Sequence, residues 1–214
     1  AQFDDGTVTP KISAVEKLYI QNEDTTAITM SGVTGLTTLY VDDDGTASDL
    51  TLTDLGSGVN VELVSGAAAA LDIDLELKTA LDNVLNLELN VTTGTSNIDI
   101  ADVETLNLAV ETAASVNLDG LSMTTAGKAS TLNVTGDTAL TVTALHADVT
   151  TVDASGMVTG GQFIQSTRSA TDASTYTGSL GADTFIMMHK NDAISSGAGA
   201  DTLDINYAAI LGGI

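Results

Sequence analysis

The chain has 214 residues, no cysteine, 43% apolar residues, and 29 acidic residues against 6 basic ones, for a formal net charge of −23 at pH 7. This charge argues against nucleic acid or an anionic membrane as a partner, because both bind cationic surfaces, and the apolar content argues against a disordered chain. No apolar run approaches the roughly 20 residues of a membrane span, so we expect no membrane insertion. Because the chain has no cysteine, its stability must come from a source other than disulfides.

Residues 1–168 are dominated by aliphatic residues that alternate with polar ones. Such alternation predicts half-buried strands. The clearest alternating segments are 71–77, 85–91 and 139–145. Short strands are also predicted where a looser pattern of the V-E-T-L-N-L type recurs, at 15–20, 36–41, 103–108, 129–134 and 149–154.

The composition of this part favours one strand arrangement over another. Regular short strands also occur in sandwiches and barrels, but a sandwich core normally contains bulky rings. Here aromatic residues make up 3% of the chain and there is one proline. We therefore predict an all-β fold, a parallel β-solenoid over 1–168, whose narrow interior needs only stacked aliphatic side chains.

The stretch 66–90 is open to two interpretations. Its alanines at 67–70 and the spacing of Leu77, Leu81 and Val84 would suit a helix. The apolar residues at odd positions from 71 to 91 favour strands instead.

An acidic segment near the N-terminus is a candidate cation site. Asp42, Asp44 and Asp49 surround Gly45, and carboxylates suit a hard cation. The segment lacks the spacing and the distal glutamate of an EF-hand loop. A solvated acidic turn is an equally good interpretation.

Three nonapeptides stand back to back at 178–186, 187–195 and 196–204. They follow the pattern G-G-x-G-x-D-x-U-x, the calcium-binding RTX repeat of parallel β-rolls. The pattern predicts a β-roll over 169–204, followed by a tail at 205–214 that continues into residues beyond this sequence. The acidic and the inward apolar positions fall on Asp183, Asp192 and Asp201 and on Phe185, Ile194 and Leu203.

The repeat length predicts how these aspartates are arranged. Each nonapeptide forms a six-residue turn and a three-residue strand, so two of them make one coil and residues 18 apart stack. Neighbouring strands lie about 4.8 Å apart and Ca²⁺ takes oxygens at about 2.3–2.6 Å. Asp183 and Asp201 are therefore predicted to share one Ca²⁺. The turn glycines at these two copies are Gly178, Gly181, Gly197 and Gly199.

The middle repeat is a weaker candidate. It keeps Asp192 but has Met187, Met188 and Lys190 where glycines belong. We expect no strong calcium site on that side of the roll.

The V-E-T-L-N-L repeats leading into RTX nonapeptides resemble the surface-layer (S-layer) proteins and large adhesins that Gram-negative bacteria export by type I secretion. The resemblance implies a secreted, extracellular protein at the cell surface. In that family calcium holds the coils together and bridges subunits. The implied partners are copies of the chain itself in a lattice or filament, and outer-membrane lipopolysaccharide through a part of the protein outside this sequence.

The sequence shows no recognisable grouping of catalytic residues. His146 and His189 have no serine or cysteine nucleophile beside them in the sequence. Arg168 and the five lysines are scattered rather than clustered as a polysaccharide lyase would need. We expect no enzyme, and two hypotheses stay open: a structural component of a calcium-stabilised surface assembly, or an adhesin or non-catalytic RTX module of a larger secreted protein such as a hydrolase.

Overall fold

The alternating segments form short strands. A computed structural model of the chain describes residues 7–22, 27–43, 50–64, 72–78, 83–90, 95–111, 115–124, 130–158, 162–168 and 172–205. Within these ranges there is one short 3-10 helix, Met30–Gly32. The strands, in chain order, are β1 (Thr7–Val8), β2 (Ile12–Ser13), β3 (Lys17–Asn22), β4 (Ala27–Thr29), β5 (Val33–Thr34), β6 (Thr38–Asp43), β7 (Leu50–Leu55), β8 (Asn60–Leu63), β9 (Asp72–Leu77), β10 (Val84–Leu89), β11 (Thr95–Ala101), β12 (Thr105–Val110), β13 (Val116–Thr124), β14 (Ser130–Gly136), β15 (Ala139–Leu145), β16 (Val149–Met157), β17 (Gln162–Arg168), β18 (Thr175–Thr177), β19 (Thr184–Met187), β20 (Ala193–Ser195) and β21 (Thr202–Ile205).

The strands form two long parallel sheets. The longer sheet has ten strands in the order β1-β4-β7-β9-β11-β13-β15-β17-β19-β21, and the shorter sheet has nine in the order β20-β18-β16-β14-β12-β10-β8-β6-β3. A small third sheet pairs β2 with β5. From β6 onward successive strands alternate between the two long sheets, so the chain winds in coils around one interior. The predicted all-β parallel β-solenoid is confirmed.

The interior is made of aliphatic ladders. Leu85, Leu106 and Leu132 lie in register on β10, β12 and β14, and all three are fully buried. Every second residue of these strands points inward because side chains alternate along a strand, which is why alternation in the sequence is sufficient to build the core. Among the described residues, the fully buried rings are those of Phe163, Tyr176 and Phe185, and Phe163 and Tyr176 both pack against Phe185.

The ambiguous stretch 66–90 contains strands β9 and β10. The inward residues of both are fully buried aliphatics, so the strand interpretation is confirmed for 72–77 and 84–89. The rest of the stretch, apart from Lys78, Asn83 and Asn90, lies outside the described residues.

The length of the coils varies along the chain. Equivalent residues are 21 apart at Asn86 and Asn107, 26 apart at Asn107 and Asn133, and 18 apart at Tyr176 and Ile194 near the C-terminal end. Both long sheets run without a break through the predicted boundary at 168/169, from β15 to β19 and from β16 to β20.

The nonapeptide strands begin nine residues apart, at Thr184, Ala193 and Thr202, as the repeat predicts. Phe185 pairs in register with Leu203, and Tyr176 pairs with Ile194. Phe185 is fully buried, whereas Leu203 is 48% exposed because β21 is the last described strand of its sheet. Of the predicted tail 205–214, only Ile205 lies within the described residues.

Candidate calcium-binding turns

The turns of the first and third nonapeptides stack directly on one another. Gly178 donates its backbone N–H to the carbonyl oxygen of Ser195 at 2.7 Å, and Ala198 donates to Ser179 at 3.1 Å. The stack continues into the strands, where Thr202 donates to the carbonyl oxygen of Asp183 at 2.8 Å. The predicted alignment of residues 18 apart therefore holds through the turn as well as the strand.

Glycine is required at two places in this stack. Gly197 and Gly199 have φ angles of +88° and +120°, a region that residues with a Cβ atom rarely occupy. A Cβ atom on Gly199 would also collide with the carbonyl oxygen of Gly181, and one on Gly197 with that of Ser179. The backbones of the two turns thus approach each other more closely than side chains would allow.

Asp183 is the most enclosed of the three repeat aspartates, with 1% of its surface exposed. Its Oδ1 accepts hydrogen bonds from the Phe163 N–H at 2.7 Å and the Ser179 hydroxyl at 2.8 Å, and its Oδ2 accepts from the Ser179 N–H at 2.7 Å. Such bonds stabilise an ionised carboxylate. The side chain closes its own turn and ties it to the preceding coil.

The Asp201 carboxylate accepts fewer hydrogen bonds from the protein than that of Asp183. Its Oδ1 accepts one hydrogen bond, from the Asp183 N–H at 3.1 Å, and the residue is half-buried. An ionised carboxylate offers about four lone-pair positions, so most of those on Asp201 remain available, in contrast to Asp183, where three donors are already bound.

The atoms at these turns that could bind a metal ion are all oxygens, the ligand atoms that Ca²⁺ prefers. Among the described residues, no group of three or more His, Cys, Asp or Glu side chains is placed to hold a metal ion. Backbone carbonyl oxygens would therefore have to supply most of the six to eight ligands that Ca²⁺ takes. The chemical type of the ligand atoms therefore fits a calcium ion, and Asp201 is the carboxylate best able to bind it.

Asp192 lies on the other side of the roll, as predicted, in the turn before β20. Its Oδ1 accepts the Ser174 N–H at 2.8 Å. Its Oδ2 accepts the N–H groups of Met188 at 3.0 Å and His189 at 2.9 Å. The carboxylate thus organises a turn that lacks glycines.

One role is common to the three repeat aspartates, and sequence reasoning missed it. Each carboxylate accepts a backbone N–H from the preceding coil: Asp183 from Phe163, Asp192 from Ser174, and Asp201 from Asp183. The in-phase spacing of the aspartates could have indicated this role, because short acidic side chains readily bond to nearby backbone N–H groups.

The acidic segment at 42–49 is described only in part. Asp42 accepts a hydrogen bond from the Tyr19 hydroxyl at 2.6 Å. Asp44 and Asp49 lie outside the described residues, so the predicted grouping is not tested.

The two histidines act as local acceptors within turns. Nδ1 of His146 accepts the Asp148 N–H at 3.3 Å. Nδ1 of His189 accepts the Asn191 N–H at 3.1 Å. Both contacts are between residues two apart, which is the geometry of a side chain that stabilises its own turn.

Comparison with protein-family models, curated proteins and solved structures finds no match to this chain. Across the part of the chain that the structure describes, no helix has the length and apolar character needed to cross a membrane.

Proposed function

We propose that this chain is a structural segment of a secreted, calcium-stabilised bacterial surface assembly such as an S-layer, without catalysis of its own. The observation that supports the proposal is the direct stacking of two glycine-containing RTX turns, in which the backbone N–H of Asp183 meets the carboxylate of Asp201 at 3.1 Å. Parallel coils with turns of this kind are the structural context that the RTX pattern requires.

In this proposal calcium binds the turns at 178–183 and 196–201. Asp201 and backbone carbonyl oxygens would hold the ion, and Asp183 would keep its turn closed through its three hydrogen bonds. An ion that binds only the folded turns stabilises them by mass action. The C-terminal coils, which are the shortest, would gain the most.

The charge of the chain gives calcium a second role. Parallel stacking places like charges side by side, as for Asp74 and Asp99, which pair in register on β9 and β11. Like charges at neighbouring positions of a sheet are destabilising. With a net charge of −23, copies of the chain would repel one another, so divalent ions would favour their assembly into a lattice or filament.

Electron microscopy of the 214-residue chain in calcium and in a calcium chelator tests the assembly. We expect ordered sheets or filaments in calcium and dispersed particles in chelator, with magnesium at equal ionic strength as the control. A chain that stays monomeric at every calcium concentration would contradict the assembly, even if calcium raises its melting temperature.

A further inference from the structure

The outer face of the shorter sheet carries a ladder of asparagine amides. The Nδ2 group of Asn86 donates to Oδ1 of Asn60 at 2.8 Å, Asn107 donates to Asn86 at 2.8 Å, and Asn133 donates to Asn107 at 2.9 Å. These four residues lie on β8, β10, β12 and β14. Each bond uses one of two amide protons and one of two oxygen lone pairs, so an amide inside the ladder keeps one donor and one acceptor position.

A second column runs beside the ladder, two residues further along each strand. It consists of Tyr19, Tyr40, Glu62, Glu88 and Ala109, in register on neighbouring strands. The rings of Tyr19 and Tyr40 stack with centroids 6.4 Å apart at 28°. Tyr19 is 56% exposed.

The two columns border a groove of about 520 Å³. Glu62 and Glu88 line one side of the groove, and the asparagines line the other side. Tyr40 lies at one end. Ala109 also lines the groove, and its small side chain does not fill it. The groove crosses five strands, from β6 to β14, which at about 4.8 Å per strand gives a length of roughly 19 Å.

The groove is negatively charged. Glu62 and Glu88 are direct neighbours on β8 and β10, and within the described ranges neither forms an ion pair. Burial, and then the charges of Glu62 and Glu111, hold the pKa of Glu88 above its ordinary value. A described cation beside this face is Lys17, whose Nζ lies 6.0 Å from the ring centroid of Tyr40.

We propose that this groove binds an extended polysaccharide that carries protonated amines, that is, an amino-sugar polymer. The amide ladder offers hydrogen-bond donors and acceptors at one regular spacing, which suits a ligand that repeats along its length. Tyr40 supplies an apolar ring surface for a sugar ring. An ammonium group beside Glu62 and Glu88 relieves the repulsion between the two carboxylates.

Other polymers fit the groove less well. An extended peptide that adds a strand needs a free sheet edge, and this surface is the face of a sheet. An amphipathic helix would lay its apolar face on this groove and so cover the carboxylates of Glu62 and Glu88 without giving them a partner. Acidic glycans would meet like charges at Glu62 and Glu88.

Calorimetric titration of the 214-residue chain with a glucosamine hexasaccharide tests the proposal. The comparison probes are cellohexaose, which has rings without charge, and hexalysine, which has charge without sugar rings. We expect the hexasaccharide to bind at least about tenfold more tightly than either probe, since tenfold corresponds to one good contact.

Variants separate the groove from general attraction to an acidic protein. Tyr40→Ala and the double variant Glu62→Gln/Glu88→Gln should each weaken hexasaccharide binding about tenfold, while Tyr40→Phe, which keeps the ring, should bind like the parent. Glu76→Gln is the matched control, because Glu76 is an exposed carboxylate on the longer sheet. A cooperative thermal unfolding transition well above the temperature of the titration verifies that each variant is folded.

Several results would overturn the proposal. They are hexalysine binding as tightly as the hexasaccharide, Glu76→Gln weakening binding as much as the groove variants, Ca²⁺ competing at the same concentration as the sugar, and no hexasaccharide binding at all. The first two would indicate non-specific charge attraction, and the third an inorganic cation site.

Discussion

The backbone N–H of Asp183 donates a hydrogen bond of 3.1 Å to the carboxylate of Asp201, 18 residues later in the chain. This contact joins two successive turns on the same side of the solenoid. It uses one of about four lone-pair positions of the Asp201 carboxylate. The same side chain can therefore tie two coils together and contribute to a calcium site between them.

Substitution of Gly199 tests the close approach of the turns. Gly199→Ala should lower the free energy of unfolding. The strain of alanine at φ +120° accounts for about 1–3 kcal/mol, and the collision of its Cβ atom with the carbonyl oxygen of Gly181 adds to this loss. Chemical denaturation measures the loss. Gly56→Ala is the control: its Cβ atom would make only an ordinary contact of 3.5 Å with Val59. Equal effects of the two substitutions would contradict the stacked-turn geometry.

Substitution of Asp183 tests its structural role. In Asp183→Asn one carboxylate oxygen becomes an amide NH₂, which would face a hydrogen-bond donor. That donor is the Ser179 N–H if the NH₂ replaces Oδ2, and the Phe163 N–H and the Ser179 hydroxyl if it replaces Oδ1. We expect a loss of about 2–3 kcal/mol in the free energy of unfolding, equally in calcium and in chelator. Asp137→Asn, at an exposed position between β14 and β15, should change little. A loss seen only in calcium would mean that Asp183 acts through the metal alone.

Gln165 should be replaceable with a gain in stability. It is 1% exposed, and within the described structure neither Oε1 nor Nε2 has a hydrogen-bond partner. Gln165→Leu keeps a similar volume and removes two unsatisfied polar atoms, so the free energy of unfolding should rise by about 1–3 kcal/mol. Gln162→Leu, at a half-buried position of the same strand, should shift it by less than about 0.5 kcal/mol. Destabilisation by Gln165→Leu would show that the amide has a partner in solution.

Glu88 should make stability depend on pH. Burial first, then Glu62 and Glu111, raise its pKa above the ordinary value of 4.5, so the folded state binds the proton more tightly than the unfolded state. Its contribution to stability is therefore greatest below the ordinary pKa and is lost as the pH rises through the raised value. Glu88→Gln should raise the melting temperature at about pH 7 and leave it nearly unchanged at about pH 3.5. A larger effect in acid would contradict the direction of the pKa shift.

Much of the fold could be predicted from periodicity. Alternation in the sequence was sufficient for β9 and β10, and the nine-residue repeat was sufficient for the starts of β19, β20 and β21, because side-chain direction and repeat length follow from local geometry. The last described strand differed from the repeat pattern: Leu203 occupies an inward position but is 48% exposed.

The surface contacts could not be predicted in the same way. Ladder residues are 26 apart at Asn60 and Asn86 but 21 apart at Asn86 and Asn107, so no fixed interval in the sequence brings them together. Phe163 could not be identified as a partner of Asp183 for a related reason. It is 20 residues away, outside the 18-residue period.

The most direct test of the calcium proposal is the melting temperature of the chain as calcium is titrated, measured for the parent, Asp201→Asn and the control Asp137→Asn, at an exposed position between β14 and β15. At a calcium concentration of about 100 times Kd, the parent and the control should gain about 5–10 °C, and Asp201→Asn should lose most of that gain. Magnesium should have a much smaller effect, because it requires a more rigid octahedral site. A parent melting temperature that is the same in calcium and in chelator would contradict the account.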